Sequence, residues 1–315
     1  MKVKRLTRSL LRYPGSKARL APLIAATVSI NGCTEHIFAE PLCGGASVSI
    51  ALLEAGVVGK IAINDADPLV SSLWKCVFSD NVNMLADIIE RIPVDLDQWA
   101  RQKALVPSNI LEAAVKCLFL NRTSFSGILN ENAGPIGGRS QQRWKLGCRF
   151  NKEKIISRML KISALSARVV CVENKPWEIF CSEIREKKVF FYFDPPFYKK
   201  ADRLYRVAFN AAEHLHLHSF LLTCNKPWLL SYDNVSEVRE IYSNSSFATR
   251  IIDNTYAAHP VGGNSYIGRE LLFSNCVLPE PTHSSDQHRG LSFLKVESPS
   301  HQLIEKRKFR DLNML

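Results

Sequence analysis

The chain has 315 residues, of which 46% are hydrophobic and 23% charged, with a formal net charge of +11 and nine cysteines. That apolar content supports a real core and excludes a wholly disordered chain, and the length admits one large domain with an insertion, or two domains. The basic excess favours a polyanionic partner, although basic proteins without one are common. An odd cysteine count with no Cys-x-x-Cys pair argues for a reducing compartment and against a zinc site. Residues 1–11 lack a signal peptide's apolar core and no run reaches transmembrane length, so a cytoplasmic setting is expected.

In chain order, a helix is predicted over Ala18–Val28, a strand over Ile37–Glu40, and a helix over Ser47–Glu54. Further strands are predicted at Ile61–Asp65, Val169–Glu173, Val189–Asp194 and Trp228–Tyr232. Their alternation with helical stretches argues for a parallel α/β sheet. Arg250–Thr255 and Glu270–Ser274 are expected to close it as an antiparallel hairpin. Between the second and third strands, residues 72–161 are too long for a simple crossover and read as mainly helical with one irregular basic part. The expected division is therefore a discontinuous catalytic domain, 1–71 and 162–278, an insert, 72–161, and a tail, 279–315. The tail is rich in Pro, Ser, His, Lys and Arg and is expected to be flexible or loosely packed.

Chemistry is concentrated at three strand ends. Lys188-Val189-Phe190-Phe191-Tyr192-Phe193 reads as a buried strand that stops in Asp194-Pro195-Pro196-Phe197. Pro195 pushes Asp194 into extended backbone, and both prolines lack an N–H. The result is a rigid edge offering a carboxylate, carbonyl oxygens and a flat ring. Such an edge suits a planar substrate bearing an exocyclic amino group, whose lone pair is delocalised into its ring. Asp194 and the Pro195 carbonyl each accept one amino hydrogen in this reading, which frees the lone pair for an electrophile, while Phe197 stacks on the base. Taken alone, Asp-Pro-Pro is equally an ordinary strand-ending turn. Ile37 to Leu52 reads as strand, glycine turn and helix, with Glu40, Gly44 and Gly45 at the carboxyl end of a strand, where α/β folds bind ligands. The turn is not Gly-x-Gly-x-x-Gly, which disfavours a nicotinamide cofactor. Asp65 ends the next strand 21 residues beyond Gly44, near the spacing at which an acid meets a ribose hydroxyl. Alone it also reads as a turn or helix-capping acid before Pro68. His214, His216 and His218 have no acid or cysteine partner at ligand spacing, so no metal is expected.

Arg12-Tyr13-Pro14-Gly15-Ser16-Lys17, Glu40-Pro41-Leu42-Cys43-Gly44-Gly45, Asn121-Arg122-Thr123-Ser124-Phe125-Ser126-Gly127 and Asp194-Pro195-Pro196-Phe197 occur in that order. Together they resemble the motifs of the Dam-like DNA adenine methylases, from about Arg12 to about Phe273. Gly134-Pro135-Ile136-Gly137-Gly138, Cys148-Arg149-Phe150-Asn151 and Ser231-Tyr232-Asp233-Asn234 are secondary matches. The resemblance implies a Rossmann-like fold with S-adenosylmethionine as cofactor, methyl transfer to adenine N6, and double-stranded DNA as partner. A restriction endonuclease is a further partner compatible with the family. It implies cofactor contacts from Tyr13, Lys17, Glu40, Gly44, Gly45, Asp65 and Asp194, and catalysis by Asp194 with Pro195, Pro196 and Phe197. The family most often has Tyr where this chain has Phe197, which keeps the stacking face and loses the hydroxyl. The insert becomes the target-recognition domain, with Arg139, Arg143 and Arg149 as donors to phosphates and bases. Arg122 either contacts DNA or braces the insert, and a solvated basic surface is an equally good account of any single member of this group. Because N6 of a paired adenine cannot reach a strand-end pocket, the base must leave the duplex. The same chemistry on cytosine N4 or RNA adenine, and a catalytically silent DNA-binding homologue, remain the alternatives.

Overall fold

A computed structural model describes residues 9–199, 201–256, 266–280 and 291–294. Along the chain it forms α1 (Ala21–Ile30), β1 (Ile37–Glu40), α2 (Ser47–Glu54), β2 (Lys60–Asn64) and α3 (Pro68–Val77). The insert then supplies α4 (Asn81–Arg91), α5 (Leu96–Ala104), α6 (Ile110–Thr123) and α7 (Lys152–Ser163). The chain returns to β3 (Val169–Glu173), α8 (Trp177–Glu183), β4 (Val189–Phe193), α9 (Ala201–Leu204), α10 (Ala211–Thr223), β5 (Trp228–Asp233) and α11 (Ser236–Tyr242). It ends in β6 (Ala248–Tyr256), β7 (Tyr266–Ser274) and β8 (Leu291–Leu294).

Among the described residues, eight strands make one sheet in the order β3-β2-β1-β4-β5-β7-β6-β8. The first five are parallel to one another. The β5–β7, β6–β7 and β6–β8 pairs are antiparallel. The mostly parallel sheet with an antiparallel closing hairpin is therefore as expected. Central β4 shows why its aromatic run is a strand. Phe190 and Tyr192 enter the core on one face, and Val189, Phe191 and Phe193 that on the other, the alternation of a pleat covered on both sides.

The first of those cores does not stop at the insert. Leu85 and Ile89 of α4, Val115 and Leu118 of α6, and Ile155, Met159 and Ile162 of α7 pack into the same cluster as Phe38, Ile61 and Ile63 of the sheet. The insert helices thus continue one face of the sheet. Side-chain caps start α5, α6 and α7: Asp95 accepts from Gln98 N–H, Asn109 from Glu112 N–H, and Asn151 from Lys154 N–H. The irregular basic segment lies between α6 and α7, as expected.

Several boundaries differ from the sequence reading. The first helix begins with a tight turn at Ala18–Leu20, and α1 starts only at Ala21, where Pro22 fits the first turn. Asp65 and Asp194 lie one residue past their strands, on the edge. Within the tail expected to be loosely packed, Leu291–Leu294 forms β8 on Ile251–Asn254, because the outer edge of β6 offers backbone groups that another strand can satisfy. Apart from 279–280 and 291–294, that tail lies outside the described residues. No helix among the described residues is long and apolar enough to cross a membrane.

The insert also anchors the start of the chain. Asn121 at the end of α6 accepts from Arg12 N–H at 2.7 Å and donates to the Gly127 carbonyl at 2.8 Å. Gly127 has φ +75°, and a Cβ there would lie 2.1 Å from the Arg12 carbonyl oxygen. Gly127→Ala is therefore expected to destabilise the protein by about 2–3 kcal/mol through backbone strain and loss of the close approach. A lower urea midpoint at unchanged slope would show it; an unchanged midpoint would mean that the 9–17 segment is not held there.

Candidate functional site

The sheet order places β1 and β4 side by side, with the chain running outward to β2 and β3 on one flank and to β5 on the other. This is the switch point at which open α/β sheets bind ligands beyond their carboxyl ends. Glu40, Asp65 and Asp194 all stand at that edge. A cavity of about 410 Å³ opens over it, lined by Tyr13, Lys17, Glu40, Gly44, Gly45, Asp65, Asp194, Pro195 and Pro196, within the usual range for small-molecule sites. Motifs from three distant parts of the sequence thus share one cavity.

The glycine turn is held by bonds to its backbone. Asp65 takes Gly44 N–H on one oxygen at 2.7 Å and Asp67 N–H on the other at 2.9 Å. Trp74 Nε1 donates to the Gly44 carbonyl at 2.9 Å, and Ser9 Oγ to that of Gly45 at 2.5 Å. Gly44 sits at φ +45°, and a Cβ there would lie 2.6 Å from the Tyr13 ring, so glycine is what lets the ring lie against the turn. Tyr13 also stacks on Tyr205 at 5.7 Å. Below the turn, the fully buried Asn64 amide donates to the carbonyls of Pro41 (2.8 Å) and Lys175 (3.0 Å) and accepts from Lys175 N–H. One side chain therefore sets the spacing of two cavity loops.

Asp194 is fixed on one oxygen. Lys17 Nζ lies 2.8 Å from Oδ1, and Ser231 Oγ donates to the same atom at 3.0 Å. Ser231 is in turn 2.8 Å from the Tyr192 hydroxyl. Lys17 also donates to the Gly15 carbonyl at 2.9 Å and lies 5.4 Å from the centre of the Phe197 ring. Oδ2 is left for a ligand. Burial pushes Asp194 up to about 6 against the pull of Lys17, and Glu270 pushes the same way. Burial likewise raises Glu40 to about 8, opposed by its bonds from Ser49, and Asp65 to about 7, with the charge of Asp67 adding to the rise.

Most residues singled out in the sequence converge here, and some do not. Phe197 stands beside the cavity, packed near Tyr205 and Gly15. Arg122 donates through Nε (2.8 Å) and its terminal nitrogen to the Leu10 carbonyl, an anchoring contact with the start of the described chain. Arg139, Arg143 and Arg149 are exposed on the irregular segment. Arg149 lies near enough to half-buried Arg12 to help burial lower that guanidinium's pKa. The three histidines separate, His214 bonding Tyr232, His216 Glu178 and His218 Ser245. Sequence reasoning passed over Asn174–Trp177, Tyr205 and Phe209, which also line the cavity, and Glu270, whose one signal is an acid ahead of the apolar run Leu271-Leu272-Phe273.

A family model described as D12 class N6 adenine-specific DNA methyltransferase matches residues 13–257. Among solved structures, the chain is similar to a Listeria monocytogenes protein described as a class I S-adenosylmethionine-dependent methyltransferase, at 8% identity and TM-score 0.37. That likeness covers 87% of this chain and 64% of the other, so the chain spans less than two thirds of that protein. It is also similar to an rRNA methyltransferase from Streptomyces viridochromogenes, at 13% identity and TM-score 0.35, over 87% and 90% of the two chains. Comparison with curated protein sequences finds no match.

The raised carboxylates set a direction for stability. Between the ordinary carboxylate range and about 8, folded Glu40 keeps a proton that the unfolded chain has released. Stability must therefore fall as pH rises through that window, and Asp65 and Asp194 add to the fall in the same sense over narrower windows. Glu40→Gln should raise the melting temperature at pH 8 and flatten its decline from pH 5. The gain is on the order of a few kcal/mol at most, since one pKa unit is about 1.4 kcal/mol. Thermal unfolding across that range checks it, and an unaltered pH dependence in the variant would remove Glu40 as a source.

Proposed function

The chain belongs to the D12 class N6 adenine-specific DNA methyltransferases, and on that premise we propose that it transfers a methyl group to N6 of a flipped-out adenine in duplex DNA. The observation that carries the reading is Asp194, held on Oδ1 by Lys17 and Ser231 with Oδ2 left for an amino group. S-adenosylmethionine supplies, when bound, an electrophilic methyl on a sulfonium. The cavity residues fit that cation. Glu40, Asp65, Glu178, Asp194 and Glu213 bring five carboxyl groups to a lining whose cations are Lys17 and Lys175. Tyr13, Glu40, Gly44, Gly45 and Asp65 would hold the cofactor, around a turn whose backbone is fixed by Asp65, Trp74 and Ser9.

The chain's part in the reaction is to prepare the amino nitrogen. Oδ2 of Asp194 accepts one N6 hydrogen and the Pro195 carbonyl the other, which draws the lone pair out of the ring. Asp194, at about 6, is ionised at neutral pH and takes the proton that N6 loses as the new N–C bond forms. Phe197, braced by the Lys17 ammonium, offers its ring to the base. The base leaves the duplex to reach this edge. The exposed arginines of the 124–151 segment, and the Arg12–Arg149 pair whose mutual repulsion an anion would relieve, support a polyanionic substrate. Nine free thiols fit a cytoplasmic setting. A restriction endonuclease partner is compatible with this reading.

Asp194→Asn keeps the shape and removes the accepting charge. It should lower kcat by about 10²–10⁴, the usual worth of a positioned base, with cofactor affinity changed far less. Mass-spectrometric counting of N6-methyladenine, N4-methylcytosine and methylated RNA adenine, on separate DNA and RNA substrates, reads the rate and the target together. A near-wild-type rate in the variant, or methyl on another base, would overturn the reading.

For DNA reading, Arg139→Ala, Arg143→Ala and Arg149→Ala should divide into two kinds. Loss of a phosphate contact weakens binding to every duplex and lowers the salt slope by about one. Loss of a base contact costs roughly 1–3 kcal/mol on the target site and relaxes one position. Titration against target and scrambled duplexes at several salt concentrations sorts them. Three variants that bind as the wild type does would place DNA reading elsewhere.

A further inference from the structure

Glu270 is fully buried on β7, two strands from Asp194 in the sheet order β4-β5-β7. Its Oε1 lies 3.7 Å from Lys17 Nζ, the same ammonium that holds Asp194. The sheet explains how they meet. Glu270 pairs across the antiparallel ladder with Asp233, and Leu272 with Ser231, so Ser231, Asp233 and Glu270 share a face. Tyr192 and Ser231 extend that face back to Asp194. A polar seam thus crosses three adjacent strands beneath the cavity, and Lys17 closes it from the N-terminal segment.

A carboxylate in the middle of a buried strand is poorly explained as a stabilising device. Removing such a charge from water costs several kcal/mol, and an apolar side chain in its place is often neutral or better. What the position does supply is a second anchor for the ammonium. With Gly15 O, Asp194 Oδ1 and Glu270 around it, Lys17 is held on the strand side of Asp194. Without Glu270, a flexible four-carbon stem has room to carry the ammonium across to Oδ2, where it would compete with the amino group.

We propose that Glu270 is a positioning residue for methyl transfer: acting through Lys17, it keeps the ammonium on Oδ1 of Asp194 and so reserves Oδ2 for the amino nitrogen. This rests on the functional reading above. The charged and titratable groups facing it are Lys17, Asp194, Asp233, Tyr192 and Tyr205, each of the four acids responding to its charge or to that of Lys17. Negative charge on Glu270 helps Asp194 hold its proton, so its removal must lower the pH at which Asp194 ionises.

The test is Glu270→Gln on the full chain, assayed with S-adenosylmethionine and duplex DNA from pH 5 to 9. We expect a kcat at least tenfold lower at the plateau, KM for DNA and cofactor Kd within about threefold of wild type, and an acid limb moved to lower pH. Glu270→Asp keeps the charge but withdraws it by one methylene. Its acid limb should stay in place while kcat falls at least threefold. A purely structural role would lower the melting temperature and leave the acid limb of the folded enzyme where it was. Glu270→Gln with wild-type kcat and limb overturns the proposal. Should that variant not fold, a folded Glu270→Asp with wild-type kcat overturns it equally. Wild-type enzyme that methylates no adenine in DNA defeats the functional reading and this proposal with it, whereas wild-type transfer beside an indistinguishable Glu270→Gln defeats this proposal alone.

Discussion

The Lys17 side chain is 4% exposed, and its ammonium lies within 3 Å of both Asp194 and the Gly15 carbonyl. A charge taken that far out of water must be paired and hydrogen-bonded, or it costs more than the fold can offset. Satisfying it draws the 13–17 segment down onto the end of β4, and that placement builds the cavity wall. Tyr13 then lies on the glycine turn and stacks on Tyr205, whose hydroxyl donates back to the Pro14 carbonyl at 3.2 Å. The Phe197 ring is brought to the same ammonium. One ion pair therefore organises residues far apart in the chain.

The segment that carries Lys17 is itself held from the insert. Asn121 takes the Arg12 N–H, Arg122 reaches the Leu10 carbonyl, and Gly127 lets the Arg12 backbone approach. Helix α6, which ends in these residues, belongs to the core that also contains β1 and β2. The exposed basic segment begins directly after them. The end of α6, from which the arginine-bearing segment departs, and the segment that brings Lys17 to Asp194 are thus joined by side-chain-to-backbone hydrogen bonds.

Electrostatics completes the picture. Glu40, Asp65 and Asp194 all have their pKa values raised by burial, and backbone N–H bonds only partly offset that cost at Glu40 and Asp65. Carboxyl groups buried in this way keep their protons further toward neutral pH than exposed ones do. Protein stability and ligand binding are coupled through the same carboxylates, as pKa shifts at functional sites generally require.

The amino-acid sequence alone determined the parts that depend on neighbours along the chain. Phe190 to Phe193 ending in Asp194-Pro195-Pro196, and Ile37 to Glu40 followed by the Gly44-Gly45 turn, are legible because strand patterning, proline's missing N–H and glycine's freedom act over a few residues. From these came the parallel sheet, its closing hairpin and the acids at the cavity edge. Tertiary structure alone decided what those residues touch. Arg122 turned inward to a carbonyl because α6 packs beside the chain's start. Asp65 spent both oxygens on backbone N–H groups of the turn and its own loop. Ser231 and Glu270 joined Asp194 because β5 and β7 are its neighbours in the sheet and the antiparallel register puts their side chains on one face. Strand order and register arise from contacts distant in sequence, and no local pattern encodes them.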